Sequence, residues 1–288
     1  MSTSNDPKRY KAGQRQGWDS VSSGWEKWWK TVEAAGGKVS RRLIELAKIK
    51  EGYKVLDVAT GIGEPSITAA HQVGKSGHIL AIDISPEMLS IAKKRVISSG
   101  IQDVIEFREG DTETIELPIS TFDAALCRFG LMFLPDLGAG LSNIYKSLKE
   151  GGRFAAAVLG SSDKVPFISF PLNIVLMETN SPPPPANAPG PFSLSDENIL
   201  KGSFIKSGFE DVTIERLDMI FSFESAEAFT NFVYETVAPV QAILSNQPQE
   251  RRKEILQAVT EAAVSRYVDK SSGSVWVSNE AICIVGKR

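Results

Sequence analysis

The sequence is poor in the side chains that most often carry acid–base, thiol or metal chemistry. Its 288 residues include two cysteines and two histidines. Cys127 and Cys283 each lie in an apolar run, "AALCRF" and "AICIVG". Both are expected as buried thiols, not as a disulfide, in a reducing compartment. No run approaches the ~18 apolar residues of a membrane span. The polar start, "MSTSNDPKRYKAGQRQGWDS", has no apolar signal-peptide core. The net charge of −3 gives no basic excess to attract nucleic acid or an anionic membrane. These absences imply a soluble cytoplasmic protein with no membrane span and no nucleic-acid partner. What the chain does have is apolar material: 42% hydrophobic residues supply a substantial core.

Residues 1–17 are expected to be a disordered N-terminus, and 18–288 a single domain. Over 18–32 the apolar residues fall at 18, 21, 25, 28, 29 and 32, one face of an amphipathic helix. A second helix is expected over 38–48. Strands then alternate with helices. "KVLDVAT", "HILAID", "VIEFREGD", "FDAALCRF" and "RFAAAVLG" are five strands. Pro65 suits the first turn of the helix after the first strand. "SPEMLSIAKKRVISSG" is a helix with Ser85 as N-cap, Pro86 in the first position and Gly100 at its stop. "GLSNIYKSLKEGG" is another. This alternation gives an α/β fold with a parallel sheet and helices on both faces. The proline-rich "SPPPPANAPGP" (181–191) interrupts it and cannot be regular helix or sheet. A helix over 195–207, a sixth strand "FEDVTIERLDMIFSF", helical stretches over about 224–246 and 248–268, and a seventh strand "EAICIVGKR" complete the chain.

The stretch "VLDVATGIGEPS" (55–66) is a strand, a glycine turn and a helix start. Such a turn presents backbone N–H groups to a ligand. It is not a P-loop, which needs G-x-x-x-x-G-K-[ST]. A dinucleotide fingerprint needs G-x-G-x-x-G. Gly61 and Gly63 fit it, but Ser66 takes the third place. Glu64 would also repel two phosphates. S-adenosyl-L-methionine suits the turn better. Its ammonium and sulfonium tolerate Asp57 and Glu64, and a helix N-terminus takes its carboxylate. Asp83, in "AIDIS", falls at the carboxyl end of the second strand and can accept both ribose hydroxyls. Asp111, in "EGDTE", can accept from the adenine amino group.

"VLDVATGIG", "AIDISPEML", "EGDTETIELP", "FDAALCRFGLMFLPD" and "SLKEGGRF" occur in order over about residues 40–160. Together they resemble class I S-adenosylmethionine-dependent methyltransferases. They are most similar to the branch of the ubiquinone and menaquinone biosynthesis C-methyltransferases. The resemblance implies a Rossmann-like seven-stranded methyltransferase sheet, order 3-2-1-4-5-7-6 with strand 7 antiparallel, and helical lid elements, here about 18–35, 161–195 and 224–270. It places Asp57, Ala59, Thr60, Gly61 and Gly63 around the methionine moiety, and Asp83, Ile84 and Met88 at the adenosine. Gly110, Asp111 and Thr112 fall at the adenine, and Arg128 and Phe129 where strand 4 meets the cofactor. One departure is Ala59, where the family usually has the first glycine of D-x-G-x-G-x-G.

Methyl transfer is an in-line displacement driven by positioning and exclusion of water, and it needs no metal. His71 and His78 fall at the sheet edge opposite the cofactor, so a histidine base is not expected. An already nucleophilic acceptor, or a base among Glu178, Tyr234 and Glu235, remains. The turn after strand 4, "CRFG", is not the [NDS]-P-P-[YF] of amino-methylating nucleic-acid enzymes. Two buried thiols do not suffice for arsenite methylation. The tryptophans at 18, 25, 28 and 29 are either a core stripe or a lid over an apolar acceptor. On the lid reading Trp18, Trp25, Trp29, Phe133 and Tyr234 face the acceptor. The proline-rich loop is either a linker or a pocket rim. The expected activity is methyl transfer to a small, apolar or aromatic metabolite, quinone- or phenol-like. O- or N-methylation of a natural-product-like metabolite, a nicotinamide-dependent oxidoreductase and a non-catalytic cofactor-binding protein are the competing readings.

Overall fold

The computed structural model describes residues 7–185 and 188–288. Its seven strands are β1 (Lys54–Val58), β2 (His78–Asp83), β3 (Ile105–Glu109), β4 (Phe122–Arg128), β5 (Leu148–Leu159), β6 (Glu210–Phe223) and β7 (Val275–Lys287). They form one sheet in the order 3-2-1-4-5-7-6. Pairing is parallel from β3 to β5, and β7 runs antiparallel to both β5 and β6. β1 and β2 are buried at every position but the first, as strands covered on both faces must be.

The helices are α1 (Pro7–Leu46), α2 (Ser66–Val73), α3 (Pro86–Ser98), α4 (Leu137–Ser147), α5 (Pro166–Thr179), α6 (Glu197–Lys206), α7 (Ala226–Thr236), α8 (Ala238–Ser245) and α9 (Gln249–Tyr267). Local chemistry sets several starts. Ser85 accepts the Met88 N–H at 3.1 Å to cap α3, and Asp136 accepts the Ala139 N–H at 2.9 Å to cap α4. Pro65 sits one residue earlier than expected, at the N-cap of α2. Both thiols are buried and unpaired, and burial pushes each up to about 12.

Three features differ from the sequence reading. First, the expected disordered stretch is helical from Pro7, while residues 1–6 lie outside the described residues. The two expected N-terminal helices are one. Gly36 and Gly37 do not break it, because glycine has a packing role there: a Cβ on Gly36 would stand 3.3 Å from the Arg128 guanidinium. Second, the stretch over 224–246 is two helices. Pro239, in the first turn of α8, has no N–H with which to continue α7. Third, β7 begins at Val275, because it pairs along the whole of β6 up to Phe223.

Of the two readings of the tryptophan helix, core stripe and lid, the later part of α1 fits the first. Val32, Ala35, Val39 and Leu43 are buried in the main core. Trp28 packs edge-on against Phe223 and Phe232. The α7–α9 region, expected as a lid element, contributes Phe229, Phe232, Val240, Leu244 and Ile255 to the core.

Two glycines of α1 give opposite predictions. A Cβ on Gly24 would lie 1.9 Å from the Glu235 carbonyl oxygen, whereas one on Gly13 would meet nothing within 4 Å. Gly24→Ala should therefore cost about 1–3 kcal/mol by overpacking α1 on α7. Gly13→Ala should be neutral or stabilise by up to about 1 kcal/mol through helix propensity. Thermal and urea denaturation of both variants checks this, and equal effects would contradict the packing described.

Candidate functional site

Where β1 ends, the chain turns through three residues at positive φ: Ala59 (55°), Gly61 (56°) and Gly63 (102°). A Cβ on Gly61 would meet nothing within 4 Å, so the turn faces open space there. Ala59 keeps its methyl because Gly130, just past β4, has none: a Cβ on Gly130 would come within 2.4 Å of it. The missing family glycine is thus matched by a glycine across the site. Phe129 also holds a positive φ of 62°, rare for an aromatic residue, and its N–H donates to Ala157 at 2.8 Å.

Asp57 lies under this turn with no exposure. Its Oδ2 accepts from Thr60 Oγ1 (2.7 Å), Ser66 N (3.0 Å) and Ser66 Oγ (2.6 Å). Its Oδ1 is the one buried side-chain polar atom among the described residues without a hydrogen-bond partner. Burial pushes this carboxyl up to about 7, against those hydrogen bonds and the nearby Arg128 charge. Asp83, at the end of β2, accepts from Gly61 N (2.7 Å) and Ser85 N (2.9 Å). Burial raises it to about 6. Thr60 N donates to Ile82 O and Gly110 N to Asp83 O, tying the first three strand ends together.

Asp111 and Thr112 follow β3. Asp111 accepts from Glu113 N and from the Lys11 ammonium at 2.7 Å. Thr112 is buried, and its carbonyl accepts from Asn143. A Cβ on Gly110 would stand 2.3 Å from the tip of the Ile115 side chain, which would have to move. Met88 is buried in a small cluster with Val21, Ile62 and Ile91, against which Trp18 packs. Ile84 is half-buried beside it.

Some expected residues are placed otherwise. Arg128 is committed to α1: it donates to Glu33 at 2.7 Å and to Ser40 at 2.8 Å. Glu64 is buried beside Arg95 (3.6 Å) and accepts from Thr68, and burial followed by the Glu33 charge raises its pKa. Trp18 stands edge-on to Phe133 at 5.1 Å and near Trp25 at 6.3 Å, forming an apolar wall past β4. Trp25 donates to the Thr236 carbonyl. Trp29 is 37% exposed with the Arg95 guanidinium over its ring, so it is not part of that wall. None of the three base candidates bonds to a strand-end residue. Glu178 is exposed and pairs with Arg251. Glu235 accepts from Lys27 and Trp28, and Tyr234 accepts from Arg252. His78 opens β2 and His71 lies near the end of α2, both at the edge opposite Asp83. The end of the proline-rich segment is tied to the turn after β4 and to α1. Gly190 and Ser193 donate to the Met132 carbonyl, and Tyr10 donates to Pro189. Its residues 186 and 187 lie outside the described residues.

Sequence reasoning missed the α1 contributions: Lys11, Asp19, which accepts from Ser85 at 2.6 Å, and Glu33. A signal existed, because charged residues at 11, 15 and 19 share one helix face beside Trp18.

The arrangement suits a ligand that carries a cation to Asp57 and hydroxyls or an amine to Asp83 and Asp111. A sequence model of the ubiE/COQ5 methyltransferase family matches residues 20–176. The chain belongs to this family. It is 35% identical over 137 residues to the ubiquinone/menaquinone biosynthesis C-methyltransferase UbiE of Cellvibrio japonicus, covering 47% of this chain and 50% of that one. The chain spans about half the length of the curated relatives it matches. Among solved structures, phosphoethanolamine N-methyltransferase 2 of Haemonchus contortus is similar with a TM-score of 0.59 at 17% identity, covering 95% of this chain and 60% of that one. The [4+2]-cyclase SpnF is similar with a TM-score of 0.51 at 19% identity, covering 87% of this chain and 80% of that one. These likenesses establish the fold, a Rossmann-like methyltransferase sheet.

The raised Asp57 pKa has a signed consequence. Below about pH 4 the carboxyl is protonated in both the folded and the unfolded chain, so burial costs nothing through this group. As pH rises to about 7 the unfolded carboxyl ionises first, and the folded state loses relative stability. Asp57→Asn removes that penalty. Its melting temperature relative to wild type should rise from pH 5 to pH 8, by about 3 °C or more. A difference that stays flat or falls would show that Asp57 ionises normally in the fold.

Proposed function

We propose that this chain binds S-adenosyl-L-methionine at the carboxyl ends of β1, β2 and β3 and transfers its methyl group to a small apolar or aromatic acceptor of quinone or phenol type. The observation that carries the reading is the unpartnered, buried Oδ1 of Asp57 beneath a glycine turn open to a ligand. A buried acceptor left unpaired is costly, and an ammonium would satisfy it with a charge-assisted bond. Asp83 would take the ribose hydroxyls, Asp111 and Thr112 the adenine, and Ile84 and Met88 the faces of the adenosine. Two carboxylates beside the turn, Asp57 and Glu64, disfavour a pyrophosphate and so a nicotinamide dinucleotide.

When bound, the cofactor supplies an electrophilic methyl on a sulfonium, and the transfer releases a neutral thioether. The chain's part is placement and dryness. The Trp18–Phe133–Trp25 wall offers an acceptor an apolar surface past β4 and withholds water from it. None of the named acids faces that wall through a described bond. This favours an acceptor that is nucleophilic as bound, such as a reduced quinone or a phenolate carbon. The name of the matched relative, a C-methyltransferase of quinone biosynthesis, supports the same class.

Calorimetry with S-adenosylhomocysteine on wild type and Asp83→Ala tests the cofactor half. Loss of a buried charge-assisted bond should weaken affinity about tenfold or more. Unchanged affinity in a folded variant would refute the ribose assignment. A screen of methyl-labelled cofactor against quinols, phenols and amines tests the acceptor half. The expected result is label on carbon of a quinol or phenol. Label on oxygen or nitrogen alone, or none, would overturn it.

A further inference from the structure

α1 is held in two different ways along its length. From Val32 onward it belongs to the core, and Glu33 and Arg42 pair with Arg128 and Glu215. Over residues 8–20 no residue is buried. Gly13 and Gly17 in this stretch weaken a helix, and neighbours crowd neither of them: only Ala238, at 3.8 Å, comes near a Cβ on Gly17. Polar contacts therefore carry much of the attachment. Lys11 Nζ lies 2.7 Å from Asp111 Oδ2 and 2.5 Å from Glu113 Oε2. Arg15 pairs with Glu109 at 2.8 Å, Tyr10 donates to the Pro189 carbonyl at 3.0 Å, and Asp19 accepts from Ser85 at 2.6 Å.

Exposure ranks these contacts. The Arg15 and Glu109 side chains are each 46% exposed, and such pairs contribute little. The Lys11 side chain is 17% exposed and that of Glu113 only 4%, so this contact is screened less than the Arg15–Glu109 pair, while Asp111, at 20%, leaves it within reach of salt. Lys11 is the main clasp. Its partners are at the adenine end of the proposed site, and Ser85 is two residues from the ribose acid. The helix thus crosses the adenosine edge and is fastened to the residues that would recognise it.

We infer that residues 8–20 form an ionic strap over the adenosine end of the site, clasped by Lys11 on Asp111 and Glu113, and that cofactor exchange requires this clasp to open. The inference rests on the cofactor reading above. Apart from Trp18, which packs on Phe133 and the Met88 cluster, the stretch is held by polar contacts, so the clasp makes its opening sensitive to salt. Lys11 is a positioning residue: it holds the strap and contributes no group to the chemistry.

The test uses the full chain as wild type, Lys11→Met and Lys11→Arg. Without cofactor, amide hydrogen exchange is followed at 50 and 500 mM NaCl. Wild type should lose protection over 8–20 at high salt. Lys11→Met should be unprotected there at both concentrations, Lys11→Arg should resemble wild type, and β1–β4 should not change. S-adenosylhomocysteine release, read by stopped-flow tryptophan fluorescence through Trp18, should be about tenfold faster in Lys11→Met at low salt. Equal protection and equal release rates in wild type and Lys11→Met would overturn the strap while leaving the cofactor site standing. Failure of wild type to bind S-adenosylhomocysteine would overturn the cofactor site, and the exchange role with it, whatever the pattern over 8–20.

Discussion

The site is organised around one carboxylate that has nowhere to put its charge. Asp57 is carried by a strand buried on both faces, so it cannot reach water. Three donors from Thr60 and Ser66 converge on one of its oxygens, and the other faces no partner. The turn above it must fold tightly enough to bring those donors in, which is why Ala59, Gly61 and Gly63 all take left-handed conformations. The same tightness forces Gly130 opposite Ala59 and draws Gly61 N onto Asp83. Two acids with raised pKa values, one strand apart, follow from one geometric demand.

A second layer of charge surrounds this centre. Glu33 and Glu64 stand with Arg95 and Arg128, and with Asp57 they make three carboxylates against two guanidiniums. Buried ion pairs contribute little net stability. This cluster is better understood as an electrostatic setting. It fixes α1 over the sheet edge through Glu33 and leaves the methionine end with a surplus of negative charge. A cationic ligand would offset that surplus, and a pyrophosphate would add to it.

Much of this was legible in the sequence because it depends on local signals. Strand ends were readable from apolar runs followed by Asp57, Asp83 and Asp111, and α3 from Ser85 and Pro86. The order of strands and the antiparallel β7 came from the family resemblance, since no local pattern encodes them. What could not be read depends on contacts distant in sequence. Residues 7–17 are mostly polar, and they form a helix whose partners include Asp111, 100 residues from Lys11, and Pro189, 179 residues from Tyr10. Gly36 and Gly37 fall between the two helices expected from the sequence, which does not show that Arg128 packs against Gly36. The resemblance put Arg128 where strand 4 meets the cofactor, and its pairing with Glu33 of α1 is another contact distant in sequence. Glu178, Tyr234 and Glu235 looked free to act as bases, but each has a cationic partner.

The central claim is that a cationic cofactor completes the coordination of Asp57. A crystal structure of the wild-type protein with S-adenosylhomocysteine tests it most directly. The account predicts the amino group of the ligand within hydrogen-bonding distance of Asp57 Oδ1, directly or through one ordered water, with the ribose at Asp83 and the adenine at Asp111 and Thr112. A ligand bound elsewhere, or bound at the turn with Asp57 Oδ1 still unpartnered, would contradict it.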